Sequence, residues 1–277
     1  MDIMLWHKML SPYEEAVDEL VHKFRFMKRQ YQERGLYCPI EHVIGRVKSI
    51  SSIMDKMQKK NISFEELETE IEDIAGIRII CQFVEDISRI ADDIAHRDDM
   101  TVIEVKDYIR NQKDSGYRSY HLVVRYRVET IDGSRDILAE IQIRTMAMDF
   151  WATVEHSLQY KYKGKIPERV SSRLSKAANA IISLDDEMSS VREDIMDAQL
   201  SSQLRYNLLE DIVMAIESLY RMTTRREVEK IQEEFYRVYM GGNMEDLKHY
   251  HDQLDLIAQA YRAQKNRIRE GLKTSVD

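Results

Sequence analysis

Disulfide, zinc-finger and dithiol chemistry have almost nothing to work with in this chain. Its 277 residues include two cysteines, Cys38 and Cys81, at no metal or redox spacing. Cys81 lies inside an apolar run and reads as a buried free thiol. Glycine (9) and proline (3) are scarce, which favours helix over long loops. No apolar run approaches the ~20 residues that span a bilayer. The opening "MDIMLWHKML" lacks the basic region and apolar stretch of a signal peptide. A cytoplasmic protein without membrane contact is therefore expected. Surplus positive charge is also missing, with a net charge of −8 and a pI of about 5.6. Non-specific nucleic-acid affinity comes from neutralising phosphates, so nucleic acid is not an expected partner. Small anions stay open wherever basic residues converge locally. H-E-x-x-H, G-x-S-x-G, G-x-G-x-x-G and the P-loop pattern are all absent.

What is there is an ordinary globular composition, 43% hydrophobic and 32% charged. The length suits one large domain or two modest ones. The spacing of Val17, Leu20, Val21 and Phe24 predicts a helix over Pro12 to Arg34, with Gly35 past its end. "LYCPIEHVIG" reads as a link. Ile50, Ile53, Met54 and Met57 recur at helical period, and "SFEELETEIEDI" opens a further helix with a Ser63-x-x-Glu66 capping box. "GIRIICQF" and "TVIEVKDYI" read as strands on either side of a helical "EDISRIADDIAHR". "SYHLVVRYRVET-IDGS-RDILAEIQIRT" is a hairpin around Asp132-Gly133. From about Pro167 the chain is helical, broken at Gly241-Gly242. The expected class is α+β, with a mixed, mostly antiparallel sheet flanked by helices. Residues 1–198 form the predicted main domain and residues 199–277 a helical C-terminal extension.

Chemistry gathers on one strand face. Side chains alternate along a strand, so "LAEIQIRT" puts Ala139, Ile141 and Ile143 on one side and Glu140, Gln142 and Arg144 on the other. In the first hairpin strand His121 falls opposite the apolar set Tyr120, Leu122 and Val124. Arg78 stands among apolar neighbours shortly after Asp73. One polar face thus collects Arg78, His121, Glu140, Gln142 and Arg144. For one strand a solvated face explains this as well; several strands with the same mixture weaken that explanation. Asp73 and Glu140 are candidates for a divalent ion, although Asp73 also suits an acidic helix end. Magnesium takes one or two carboxylates and leaves its other positions to water and phosphates.

Two further stretches carry groups for anions and planar ligands. "GRVKSISSIMDKM" places Arg46 and Lys48 before a helix, Ser52 in its first turn and Lys56 one turn on, facing the same way as Ser52. Helix N-termini favour phosphate, though a solvated basic face is the plainer alternative. "NQKDSGYRSYH" brings Lys113, Tyr117, Arg118 and His121 into a strand entry, where a ring can stack on a base.

Taken in order, "GRVKSISSI", "DIAGIRI", "SGYRSYHLVV", "EIQIRT" and "FWATVEHSLQYKYKG" resemble the synthetase domain of the RelA/SpoT alarmone-synthetase family. The likeness covers roughly Trp6 to Arg192 and is greatest to the small, single-domain RelQ type. The resemblance implies a nucleotidyltransferase-like fold. It implies transfer of the β,γ-pyrophosphate of ATP to the ribose 3′-hydroxyl of GDP or GTP, with Mg²⁺ on Asp73 and Glu140. Glu140 would also help deprotonate the hydroxyl. Arg46 and Arg78 would sandwich adenine, and Lys48, Ser52 and Lys56 would line the ATP phosphates. Tyr117 would stack on guanine, with Ser115 and Ala152 at its edge. Lys113 and His121 would meet the acceptor's phosphates. Gln142 and Arg144 would touch the acceptor or brace the site. Ser115 stands where long members carry Asn. The family further implies a homotetramer and an alarmone-binding central cleft near Arg25 and His42. Without the hydrolase domain of long members, no alarmone hydrolysis is expected. A toxin-type enzyme acting on adenosine nucleotides or tRNA ends is the alternative, and the negative charge argues mildly against tRNA.

Overall fold

The computed structural model describes residues 3–113, 115–161 and 167–273. Asp114 and the "YKG" that ends "QYKYKG" lie outside them, as do Met1 and Asp2. The elements run α1 (Ile3–Glu33), β1 (His42–Val47), α2 (Ile50–Lys60), α3 (Leu67–Glu70), β2 (Ala75–Cys81), α4 (Val84–Ala95) and β3 (Met100–Asp107). They continue with β4 (Tyr120–Thr130), β5 (Gly133–Thr145), α5 (Met146–Lys161), α6 (Glu168–Tyr220), α7 (Arg225–Gly241) and α8 (Met244–Lys273). The class is α+β, as expected. The sheet order is β1-β2-β5-β4-β3, antiparallel throughout except for the parallel pair β2–β5. No described helix is long and apolar enough to cross a membrane.

Three expectations are corrected. The first helix begins at Ile3 and carries Pro12 inside it. Trp6, Leu10, Tyr13 and Val17 continue its apolar stripe at steps of four, three and four, and all are buried. Their burial outweighs the proline's cost in a helix interior. The supposed link holds β1, a short edge strand whose alternation is diluted by Gly45 and Arg46. Arg46 stands before α2 as expected, but on a strand. The predicted helix over "SFEELETEIEDI" is a single turn, α3. Glu66 does reach back to Ser63, accepting from its backbone N at 3.1 Å and its hydroxyl at 2.8 Å. Ile71 then turns extended, and Ile71 and Ile74 are both fully buried. The carbonyl of Ile74 accepts from Lys48 N (2.8 Å), prolonging the β1–β2 ladder. A few residues at helical apolar spacing have been taken up by extended backbone.

One face of the sheet is apolar. Ile77, Ile79, Leu122, Val124, Ile141 and Ile143 stand on it and pack with the buried stripe of α1 in a single core. Close approach of α1 explains Gly45, where an added Cβ would lie 2.5 Å from methyls of both Val17 and Val21. The opposite face carries the polar residues, and the register lines them up. Ile44, Arg78, Gln142, His121 and Lys106 form one row, with Arg46, Gly76, Glu140, Val123 and Glu104 beside it.

The chain divides into two compact units, Met1–Val191 and Arg192–Asp277, with the division inside α6. The second unit has a core of its own, built from Ile212, Ile216 and Leu219 with Val228, Leu247, Tyr250, Leu254 and Ala258.

Candidate active site

The polar face becomes a site because five side chains close into a ring. Arg144 Nη2 donates to Tyr117 Oη (2.5 Å), and Tyr117 Oη lies 2.9 Å from His121 Nε2. His121 Nδ1 lies 3.0 Å from Glu140 Oε1. Gln142 Nε2 donates to Glu140 Oε2 (2.7 Å), and Gln142 Oε1 accepts from Arg144 Nη2 (2.7 Å). One assignment satisfies every atom: Nδ1–H of His121 donates to Glu140, and Nε2 accepts from Tyr117. Four of the five come from the adjacent strands β4 and β5, where His121 faces Gln142 directly and Glu140 and Arg144 are each two residues from Gln142 on the same face. Arg144 is 4% exposed and also holds Ser119 Oγ (3.2 Å) and Asp149 Oδ1 (3.3 Å).

Glu140 is buried, which pushes its carboxyl up. The hydrogen bond from His121 and that from the Gln142 amide outweigh this and leave it below the ordinary carboxylate value. Asp73 adds a repulsive charge to Glu140, so the two carboxylates share a local field. Asp73 itself is gripped by Lys48 Nζ (2.7 Å) and Lys56 Nζ (2.8 Å). Burial raises its carboxyl, and the two ammoniums more than offset that, holding it low. Ser52 sits at the start of α2, where its N–H donates to the N-cap Ser49 Oγ (3.3 Å). The structure thus brings Lys48, Lys56 and Asp73 together across 25 residues of sequence.

Beside the ring lies a cleft of about 360 Å³ lined by Arg46, Arg78, Tyr117, Gln142, Arg144, Ala152, Thr153, Glu155 and His156. Arg78 Nη1 pairs with Asp149 at 3.1 Å, while its buried Nε has no hydrogen-bond partner among the described residues. Burial and the neighbouring charge of Arg144 depress Arg78. Lys113 Nζ stands 4.4 Å from the Tyr108 ring centre and 5.2 Å from that of Tyr117. Ser115 Oγ accepts weakly from Tyr117 N (3.4 Å). Ala152 is buried with Trp151 and Ala178, and Tyr117 packs on them. Arg25, on α1, donates to the Val43 carbonyl (3.2 Å), and His42 opens β1; neither lines this cleft.

Several of these neighbours give no signal of their own in the sequence. Asp149 anchors both Arg78 and Arg144. Its position in the first turn of α5 is where an acid suits any helix, which hides its second use. Tyr108, edge-on to His121 at 5.1 Å, read only as the end of a strand. Lys106, paired with Glu72 and Glu104, lies next to His121 in the sheet. Only the register connects it to the site.

A cleft walled by guanidiniums thus stands beside a ring that holds one buried carboxylate, while two ammoniums hold a second carboxylate. Residues 45–165 match the model of the region found in RelA / SpoT proteins. The chain is 49% identical to GTP pyrophosphokinase YjbM of Bacillus subtilis over 199 residues, 72% of this chain and 94% of the relative. The small alarmone synthetase 1 of Bacillus subtilis bound to its product pppGpp superposes with a TM-score of 0.67 at 49% identity, covering 69% of this chain and 98% of that one. The same enzyme bound to AMPCPP gives 0.62 at 45% identity, covering 70% and 98%. The chain belongs to the RelA/SpoT family, among its small alarmone synthetases.

Proposed function

We infer that this chain is a GTP pyrophosphokinase that transfers the β,γ-pyrophosphate of ATP to the 3′-hydroxyl of a guanosine nucleotide, releasing AMP. The 3′-oxygen attacks the β-phosphorus, the bond to the α-phosphate oxygen breaks, and the hydroxyl proton passes to Glu140. The observation that carries this is the ring. It presents a buried, ionised carboxylate, oriented by His121 and Gln142, beside a cleft with guanidiniums on its walls. A base held in place in this way contributes ~10²–10⁴-fold.

The site residues divide between two nucleotides in this reading. Arg46 and Arg78 flank the adenine, where guanidinium planes stack well. Lys48 and Lys56 exchange Asp73 for ATP phosphate oxygens, with Ser52 beside them at the start of α2. Tyr117 stacks on guanine, with Ser115 and Ala152 at its edge, and Lys113 and His121 take the acceptor's phosphates. Arg144 has its donors engaged by Tyr117, Gln142, Ser119 and Asp149, which favours a bracing role. Gln142 lines the cleft and orients Glu140.

Asp73 and Glu140 fit Mg²⁺: two carboxylates that repel each other beside ammoniums suit an ion that keeps its remaining positions for phosphates. When bound, the ion neutralises charge developing on the transferred group. The same reading carries a homotetrameric, cytoplasmic enzyme. Light scattering at assay concentration should then give four times the chain mass, and a monomer would remove the assembly from the proposal.

The test of the reaction is a labelled-donor assay. Purified chain with Mg²⁺, GDP or GTP, and ATP labelled at the γ-phosphate should move the label onto the guanosine nucleotide. The adenosine product should be AMP. Formation of ADP, or transfer only to adenosine nucleotides or tRNA, would refute the assignment.

A further inference from the structure

A second polar cluster sits behind the acceptor side of the site, on α6. Leu174, Ala178, Ile181 and Asp185 are spaced four, three and four apart, so they share one helix face. The first three pack around Trp151, Ala152 and Tyr117. Trp151 Nε1 also donates to the Leu174 carbonyl (3.2 Å). The fourth is a carboxylate, only 4% exposed. Asp185 Oδ2 accepts from Thr145 Oγ1 (3.1 Å) and lies 4.0 Å from Arg118 Nη1. Arg118 follows Tyr117 directly, and its Nη1 is buried with no hydrogen-bond partner among the described residues. Further along α6, Ser189 Oγ donates to Glu85 Oε2 (3.1 Å) and ties the helix to α4.

Packing alone does not ask for a carboxylate here. Burial pushes Asp185 up, and the nearby Asp186 and Glu85 add to it, against the Thr145 bond and the Arg118 charge. A buried ion pair of this kind is weak evidence for stability, because an apolar residue of similar size packs without desolvating a charge. What the carboxylate does accomplish is positional. It faces the buried guanidinium of the segment that carries Tyr117, and Gly116 of that segment runs so close to α6 that an added Cβ would stand 2.4 Å from the Ala178 Cβ.

We propose that Asp185 is a positioning residue for the acceptor nucleotide, acting through Arg118 on the Gly116–Tyr117 segment and touching neither substrate. The inference rests on the reading above that Tyr117 receives the guanine. It spares the ATP side. Thr145 keeps its capping bond from Met148 N (3.1 Å) without Asp185, so the start of α5 and Asp149 stay in place.

The test uses the full-length chain carrying Asp185→Asn, which keeps the size and an oxygen for Thr145 but removes the charge. The KM for GTP should rise about ten-fold, with the KM for ATP within two-fold of wild type. Calorimetric Kd for GDP without ATP should weaken in parallel. Partial unfolding of the variant does not blur this, because an inactive fraction lowers apparent kcat and leaves both KM values alone. The double variant Asp185→Asn/Arg118→Gln should bind GDP no worse than the weaker single variant, as expected for residues acting through one contact. An unchanged GTP KM, an equal rise for both substrates, or additive losses in the double variant would overturn the proposal. A wild-type chain that made no alarmone would instead indict the functional reading, and the GDP titration would still report on Asp185.

Discussion

Replacing Glu140 by glutamine should reduce pyrophosphoryl transfer by about 10³-fold or more, at the upper end of what a general base contributes. The carboxylate is 9% exposed and held below its ordinary pKa by His121 and Gln142. It is therefore ionised throughout the neutral range, and a loss of charge there is a loss of function at every assay pH near 7. The amide is nearly isosteric, and its oxygen can still accept from His121. Its NH₂ then meets the Gln142 NH₂, so one bond of the ring is lost, at a cost of about 1 kcal/mol. The thermal midpoint should therefore fall by only ~2–4 °C. Binding of ATP and of GDP, each measured alone by calorimetry, should stay within a few-fold of wild type. Turnover within ten-fold of wild type would remove Glu140 from the chemistry.

Gly116→Ala is expected to have the second largest effect, for a different reason. Gly116 has φ = +90°, a region that L side chains rarely adopt, and an added Cβ would stand 2.4 Å from the Ala178 Cβ. Backbone strain of ~1–2 kcal/mol and overpacking of ~1–3 kcal/mol both apply. The segment relieves them by moving away from α6, and Tyr117 moves with it. The KM for GTP should rise at least thirty-fold while the KM for ATP changes little. The thermal midpoint should drop by ~5–15 °C. Adding Ala178→Gly removes the overlap but not the positive φ, and it introduces a glycine into a helix at ~1 kcal/mol. The pair should therefore recover most of the acceptor affinity and little of the stability. If Ala178→Gly recovers none of the affinity, the contact with α6 is not what places the segment.

Both variants lie in stretches whose chemistry could be read before the fold. Alternation in "LAEIQIRT" separated Glu140, Gln142 and Arg144 from the apolar residues, and the β-rich hairpin put His121 on a polar face. Those inferences need only the two-residue period of a strand. The order of five short motifs then supplied the family, because a set in sequence carries information that no member has alone. Less legible were elements whose local pattern is ambiguous. Leu67, Ile71 and Ile74 sit at helical spacing, yet only one turn forms, since extended backbone buries Ile71 and Ile74 and leads Asp73 to Lys48 and Lys56. The strand β1 was hidden because an edge strand with Gly45 in it shows little alternation.

The chain's own order of residues thus determined the α+β class, the helical tail, the polar strand face and the family, all of which rest on local period or on linear motif order. Tertiary structure alone decided which polar groups meet. The closing of the Tyr117–His121–Glu140–Gln142–Arg144 ring depends on strand register, and the grip of two lysines on Asp73 depends on β1 pairing with β2. The placement of Asp185 behind Tyr117 depends on α6 folding back over a loop some 67 residues earlier in the chain. Hydrogen bonds and ion pairs act over about 3–4 Å, and distances that short between residues far apart in sequence are set by packing, which no local pattern encodes.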